Sequence, residues 1–351
     1  MRQHILVIRF SALGDVAMIV PVVYALAQQY PNVRITVLSR SFARPLFDDL
    51  APNVNFLEAD LKGEYHGVKG LNALYRRLVA KQFTHVADLH SVLRSNYLRV
   101  RFNLGHFKVQ HIQKHRNKRR QLLAGKTGDK KPLPSTFQNY LDVFSRLGFP
   151  IDNIDFTSIF PEEGGNLNML PKAIGQKRTW EQWIGIAPFA AHKGKVYPKE
   201  KMEQVLEMIA TRYPKARIFL FGRGKDEEQT FPKWEKQMPQ CTFVAWHLES
   251  LHQELILMSH LDVMLSMDSA NMHLASLTGT PVVSVWGATH PMAGFMGWKQ
   301  NPDNALGLDL DCRPCSIYGQ KKCKFEDYHC LTGITPEMIA NKIANVIDNK
   351  Q

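Results

Sequence analysis

Leu265-Ser266-Met267-Asp268-Ser269-Ala270-Asn271-Met272-His273-Leu274-Ala275 is an apolar strand that breaks into Asp-Ser-Ala and enters a helix. Gly279-Thr280-Pro281 then returns the chain to a second apolar strand, Val282–Val285. Strand, helix and strand in that order make a βαβ unit, which pairs its strands in parallel through a right-handed crossover. Backbone N–H groups and the helix dipole at the start of such a helix suit an anion such as a diphosphate. Asp268 or Ser269 is equally an ordinary N-cap. The physics of this segment leaves the two readings level.

The same alternation runs through the rest of the chain. In the second half, strands are expected at 183–187, 217–221, 242–245, 263–266 and 281–285, and helices at 199–213, 251–260 and 269–278. A last helix over 336–347 follows Thr335 as its N-cap. The first half predicts strands at 4–10, 33–39, 54–57, 85–89 and 108–112, with helices at 21–30, 71–81 and 135–147. Between the halves, residues 150–177 hold Pro161, Gly164, Gly165, Pro171 and Gly175, the composition of a linker. The expected organisation is α/β: a Rossmann-like domain over 1–165, a linker over 166–180, a second such domain over 181–335 and a terminal helix over 336–351. Two doubly wound halves are expected to face each other across a cleft lined by strand carboxyl ends.

A length of 351 residues suits two domains of about 150–180 residues each. With 44% hydrophobic and 22% charged residues, the composition is that of a folded globular protein. The first ten residues already read as a strand, without the apolar region and cleavage site of a signal peptide. The longest apolar run, 16–27, contains Pro21 and is shorter than the ~18 residues of a membrane span. A soluble cytoplasmic protein without a transmembrane segment is expected. The net charge is +12, much of it between positions 108 and 131. There Lys108, Lys114, Arg116, Lys118, Arg119, Arg120, Lys126, Lys130 and Lys131 stand against Asp129 alone. Composition by itself favours a solvated loop. A nucleic-acid surface, or a patch for anionic lipid head groups and phosphorylated sugars, is the alternative.

Two further segments carry chemistry. His192-Lys193-Gly194-Lys195-Val196-Tyr197-Pro198 puts Lys195 just past a strand, where an ammonium can neutralise a departing phosphate. A surface lysine in a basic loop is the plainer alternative. Phe10-Ser11-Ala12-Leu13-Gly14-Asp15-Val16 follows the first strand, with Gly14 permitting a tight turn. Asp15 is then placed to take the proton from an acceptor hydroxyl, unless it is only a helix-start aspartate.

In order and spacing, the three segments together resemble the bacterial heptosyltransferases, family nine of the glycosyltransferases, over nearly the whole chain. Ser11 to Asp15 matches that family's Ser-x-x-Gly-Asp, and Asp268 to His273 its Asp-Ser/Thr-Gly/Ala-x-x-His before Gly-Thr-Pro. Lys195 to Pro198 matches Lys-x-Trp-Pro, with Tyr197 replacing tryptophan. The resemblance implies a GT-B fold and transfer of heptose from ADP-heptose to the lipopolysaccharide inner core, with inversion and no cofactor or metal. By the same resemblance Asp15 is the general base and Lys195 stabilises the leaving ADP. Asp268, Ser269, Ala270 and His273 hold the donor phosphates and heptose. Ala190 and Ala191 stand where relatives often carry hydroxyls, so phosphate contacts there fall to the backbone at Ala191 and to His192. Asp226 or Glu227, after the glycine-rich turn 222–224, lies near the ribose. Ser11, Gly14, Arg94, Lys118, Arg119 and Arg120 are the expected acceptor contacts, at the inner face of the inner membrane and not on nucleic acid.

Cys312, Cys315, Cys323 and Cys330 cluster with a Cys-x-x-Cys start. In a reducing compartment this favours a small metal knuckle over disulfides, but the expectation as a whole is free thiols or a redox-labile loop, with no metal. Asp309-Leu310-Asp311 lies beyond the last strands and is read as a chance DxD string. The competing functions are a GT-B transferase for another nucleotide sugar, a GT-B-like epimerase, and a basic nucleic-acid-binding protein. The last lacks aromatic residues interleaved in the basic run as stacking platforms.

Overall fold

The computed structural model describes residues 3–125 and 129–349. In chain order the regular elements begin β1 His4–Ile8, α1 Leu13–Ala17, α2 Val20–Gln29, β2 Arg34–Ser39, β3 Val54–Glu58, α3 Gly67–Val79 and β4 His85–Asp88. They continue α4 Leu93–Leu104, β5 Lys108–His111, α5 Arg116–Ala124, α6 Thr136–Arg146, β6 Trp183–Ala187, α7 Lys199–Arg212, β7 Arg217–Leu220, α8 Lys225–Gln237 and β8 Cys241–Phe243. The chain ends with α9 Leu251–Ser259, β9 Val263–Met267, α10 Ala270–Leu277, β10 Val282–Val285, β11 Ala305–Leu306, α11 His329–Thr332 and α12 Pro336–Asp348.

They form two compact units, the first comprising Met1–Lys114 and Pro134–Ile159, the second His115–Leu133 and Phe160–Gln351. Unit 1 holds a five-stranded sheet ordered β3-β2-β1-β4-β5, and unit 2 a six-stranded sheet ordered β11-β10-β9-β6-β7-β8. Every strand pair is parallel. Parallel sheets are covered on both faces, and their central strands read as unbroken apolar runs. All five residues of β1, of β6 and of β9 are buried accordingly. In unit 1 the core joins Leu6 and Ile8 to Leu74, Leu98 and Phe102. In unit 2, Ile186, Leu220 and Leu265 pack with Phe231, Trp234 and the Ile339-Ile343-Ile347 stripe of α12. Helix starts are capped by Ser135, Ser250 and Thr335, whose hydroxyls accept from backbone amides three residues on.

Besides the short α1, α11 and β11, three longer elements depart from the expectation. Residues 93–104, 116–124 and 225–237 are helices, although no helix is predicted there. α4 carries apolar residues on both faces, which hides its period, and α8 contains Pro232, normally a helix breaker. The domain division also differs. Residues 115–133 join unit 2, because Leu122 is buried with Ala293 and Ile317. Residues from 160 onward, including the expected linker, likewise belong to unit 2, as does α12, which packs on α7.

Burial pulls the His4 imidazole from its ordinary 6.5 down to about 4, with Arg34 adding to the effect. The ring meets Thr36 Oγ1 at 2.9 Å and leans on Phe83. Between pH 6.5 and 4 the unfolded chain takes up a proton that folded His4 refuses. Its contribution is therefore complete above pH 6.5 and is lost as pH falls toward 4. Thermal unfolding at pH 7.5 and 5, followed by circular dichroism, should show a smaller acid-induced drop in Tm for His4→Gln than for the unsubstituted protein. Equal drops would place the acid sensitivity elsewhere.

Candidate active site

Between β9 and α10 neither Asp268 nor Ser269 caps the helix with its side chain. The backbone of Ser269 occupies the N-cap position, yet its side chain makes no capping bond and instead meets Ser266 Oγ at 3.1 Å. Asp268 does not turn to the helix either. Its Oδ2 lies 2.8 Å from Lys195 Nζ, with the two side chains only 6% and 15% exposed. Ala270 opens α10, and His273 is buried one turn into it. The sheet dictates this meeting. β6 and β9 are neighbours, with Ala187 opposite Ser266, so the chain leaving each strand emerges at the same edge.

Lys195 closes a single 3₁₀ turn, Lys193–Lys195, held when Lys195 N donates to His192 O and Ala288 N donates to Gly194 O. Its aliphatic stem presses on Gly319, whose φ is +82° and where a Cβ would sit 2.6 Å from Lys195 Cγ. Ala191 is exposed and His192 partly exposed beside this turn. Tyr197, which replaces the expected tryptophan, is buried and donates its hydroxyl to Ile334 O at 2.8 Å. Burial, aided by Glu337, pushes that phenol up to about 12. Tyr197 thus ties the lysine loop to the start of α12.

At the glycine-rich turn the two carboxylates separate. Asp226 is exposed, whereas Glu227 folds back over Gly222 and Gly224, where any Cβ would collide with it. Burial raises the Glu227 carboxyl above its ordinary range.

In unit 1, Asp15 lies in α1, just past β1. Its Oδ2 pairs with Arg9 Nη2 at 2.6 Å and lies 3.4 Å from the Ala12 amide. Arg9 is itself fixed by donation to Ser11 O and Leu89 O, and Tyr140 donates to the Asp15 carbonyl. Ser11 Oγ is 3.4 Å from His90 Nε2. Burial, with the charges of Arg9, Lys114 and Arg94, pulls His90 down to about 3, so it is neutral at physiological pH. Ser11, Asp15, Arg94 and Lys114 of the basic run are thus gathered with Arg9 and His90, which sequence reasoning missed. A lone arginine closing the apolar run His4 to Phe10 was the available signal for Arg9. Gly14 corrects an expectation: it is buried inside α1 and is not among the residues of positive φ.

Lys118, Arg119 and Arg120 lie on α5 in unit 2. Arg119 packs over Phe295 and Tyr318 and donates to the Tyr318 hydroxyl at 2.5 Å, while Lys118 and Arg120 are exposed. Lys126 lies outside the described residues. Buried Arg313, also unforeseen, donates to the carbonyls of Trp286, Gly287, Leu308 and Thr289 and so shapes the exit from β10. The clustered cysteines are free thiols, Cys312 exposed and Cys330 buried. Among the described residues no three His, Cys, Asp or Glu side chains are grouped to hold a metal.

A doubly wound parallel sheet built twice, each with polar groups gathered where strands end, is the architecture of GT-B glycosyltransferases. The profile described as glycosyltransferase family 9 (heptosyltransferase) matches residues 71–329, and the chain belongs to that family. It is 26% identical to lipooligosaccharide heptosyltransferase 2 of Haemophilus influenzae, over 98% of this chain and 99% of the relative. A family 9 glycosyl transferase from Veillonella parvula shares the fold with a TM-score of 0.76 at 19% identity, covering 99% and 98% of the two chains. The ADP-heptose lps heptosyltransferase II of Escherichia coli does so with 0.67 at 17%, covering 99% of each. Membership of this family displaces the reading of the chain as a basic nucleic-acid-binding protein.

Removing the Tyr197 hydroxyl leaves the Ile334 carbonyl buried without its donor. Tyr197→Phe is expected to lower the unfolding free energy by about 1–2 kcal/mol in urea titration. Nucleotide affinity should stay within twofold; a larger loss would move Tyr197 from scaffold to site.

Proposed function

We propose that the chain transfers heptose from ADP-heptose to the inner core of lipopolysaccharide, with inversion at the anomeric carbon. The observation that carries this reading is the Lys195–Asp268 pair at a helix start that no side chain caps. The donor diphosphate binds at that helix start, its charge met by the Lys195 ammonium and the first amides of α10. Ser269, Ala270 and His273 line the donor, with Ala191 and His192 beside the diphosphate. Glu227, held against the glycine turn, is better placed for the ribose than exposed Asp226.

Asp15 takes the proton from the acceptor hydroxyl as that oxygen bonds to the anomeric carbon. The bond from that carbon to the diphosphate breaks through an oxocarbenium-like state, and the electron pair leaves with ADP. The Arg9 and Ala12 contacts both fall on Oδ2 of Asp15, so Oδ1 is the atom assigned to proton transfer. Ser11 and Arg94 contact the phosphorylated acceptor, with Lys118, Arg119 and Arg120 as further basic contacts. Because Lys195 supplies the positive charge at the leaving group, no metal or other cofactor takes part. The acceptor is lipid-borne, so the protein works in the cytoplasm, peripherally at the inner face of the inner membrane. No helix among the described residues is long and apolar enough to cross a membrane.

Asp15→Asn is expected to slow transfer by at least about 100-fold while leaving ADP affinity nearly intact. Lys195→Met should weaken ADP binding and transfer together. Calorimetric titration of ADP alongside a mass-spectrometric transfer assay separates the two, and an active Asp15→Asn enzyme removes Asp15 as the base. Transfer should continue unchanged in EDTA; inhibition reversed by a divalent cation would contradict the role given to Lys195. A thermal-shift panel should respond to ADP-heptose above UDP- and GDP-sugars.

A further inference from the structure

α4 buries Ser95, Leu98 and Phe102 against its own unit. Its opposite face is where a helix of a soluble domain normally carries charge. Here positions 93, 100 and 104 are Leu, Val and Leu, 86%, 54% and 72% exposed. At 100° per residue the three fall within about 40° of one another, along roughly 16 Å of helix. α3 packs alongside and adds Val68, which is 63% exposed. Asn72 Oδ1 joins the helices, accepting from Tyr97 at 2.8 Å and from Arg101 at 2.9 Å, so the two outer faces form one surface.

The charge on this surface has one sign. α3 carries Lys69, Arg76 and Arg77, and α4 carries Arg94, Arg99 and Arg101; neither helix contains Asp or Glu. Arg99 turns inward to Asp88, and Arg77 to the Tyr65 hydroxyl. Lys69, Arg76 and Arg94 remain exposed, with Arg101 partly so, around the apolar crest. Apolar side chains that enter the acyl boundary, ringed by cations that meet phosphates, are the chemistry of an anionic bilayer surface.

We propose that the outer faces of α3 and α4 dock the protein on an anionic phospholipid bilayer. A second copy is the poorer occupant, because a two-fold contact would set one all-cationic rim against another. Leu93 follows closely on the β4 end that carries His90, so the docked face adjoins the residues assigned to the acceptor. The purpose of docking rests on the lipid-borne acceptor proposed above; the binding itself does not.

The test uses the full chain, without donor or acceptor, and sedimentation with vesicles. Binding should be strong to phosphatidylethanolamine–phosphatidylglycerol vesicles, weak to phosphatidylcholine vesicles, and should fall as salt rises. Replacing Leu93, Val100 and Leu104 together by Asn should weaken it at least about tenfold. Lys69→Glu with Arg76→Glu should weaken it and flatten its salt dependence. An unchanged Tm checks the fold of each variant, and Leu93→Asn alone, at the helix end, serves if the triple variant does not fold. Equal binding to both vesicle types, or binding unmoved by the apolar substitutions, overturns the proposal. So does a dimer in sedimentation equilibrium that those substitutions dissociate. Loss of vesicle binding with transfer to a delipidated, water-soluble core acceptor unchanged supports docking. Intact vesicle binding without any heptosyl transfer would sink the functional reading alone.

Discussion

An ammonium and a carboxylate 2.8 Å apart, both mostly withdrawn from water, persist only where the surrounding structure fixes their geometry. Desolvating either ion costs several kcal/mol, so a loose pair would be worse than none. Unit 2 supplies that rigidity through its sheet. Asp268 leaves β9 with its amide bonded to Val285 O on one neighbouring strand, while Lys195 comes from the loop after the other neighbour, β6. A slip of one residue between these strands would turn their side chains to the opposite face and part the ions. The buried runs of β6 and β9 therefore set the site as much as they set the core.

Unit 1 repeats the device with the charges exchanged. In unit 2 the cation, which the proposed mechanism offers to the donor, is restrained by a carboxylate. In unit 1 the carboxylate Asp15, the base in that mechanism, is restrained by Arg9 from the end of the strand that leads into α1. Arg9 is held in turn by two carbonyls, one of them from Leu89 beyond β4. The neutral His90 beside it adds polarity without adding a competing charge. Each site thus takes its orientation from a pair of adjacent parallel strands.

The alternation of strands and helices was legible because buried parallel strands are apolar throughout, as at β1, β6 and β9. Lys195 and Asp268 were legible as members of motifs, but their pairing was not, since 73 positions separate them and only the sheet order joins them. Arg313 left no trace in sequence: its partners are backbone carbonyls, which any residue provides. α5 was obscured by its charge density, and its few apolar residues disclosed nothing about which unit they would cover. The two carboxylates at the glycine turn could be told apart only once the backbone showed which of them lies over Gly222 and Gly224.

The location of α5 bears on the order in which the chain is assembled. Its buried partner side chains, Ala293 and Ile317, lie far downstream. At ~5–20 residues per second, the roughly 170 residues between Ala124 and Ala293 take about 10–30 s to synthesise. For that interval the helix has no surface on which to settle, while most of unit 1 is already made. Its dense positive charge keeps the waiting segment soluble and discourages premature burial. A ribosome stalled within unit 2 would release a chain whose first unit is nearly whole and whose basic segment is undocked.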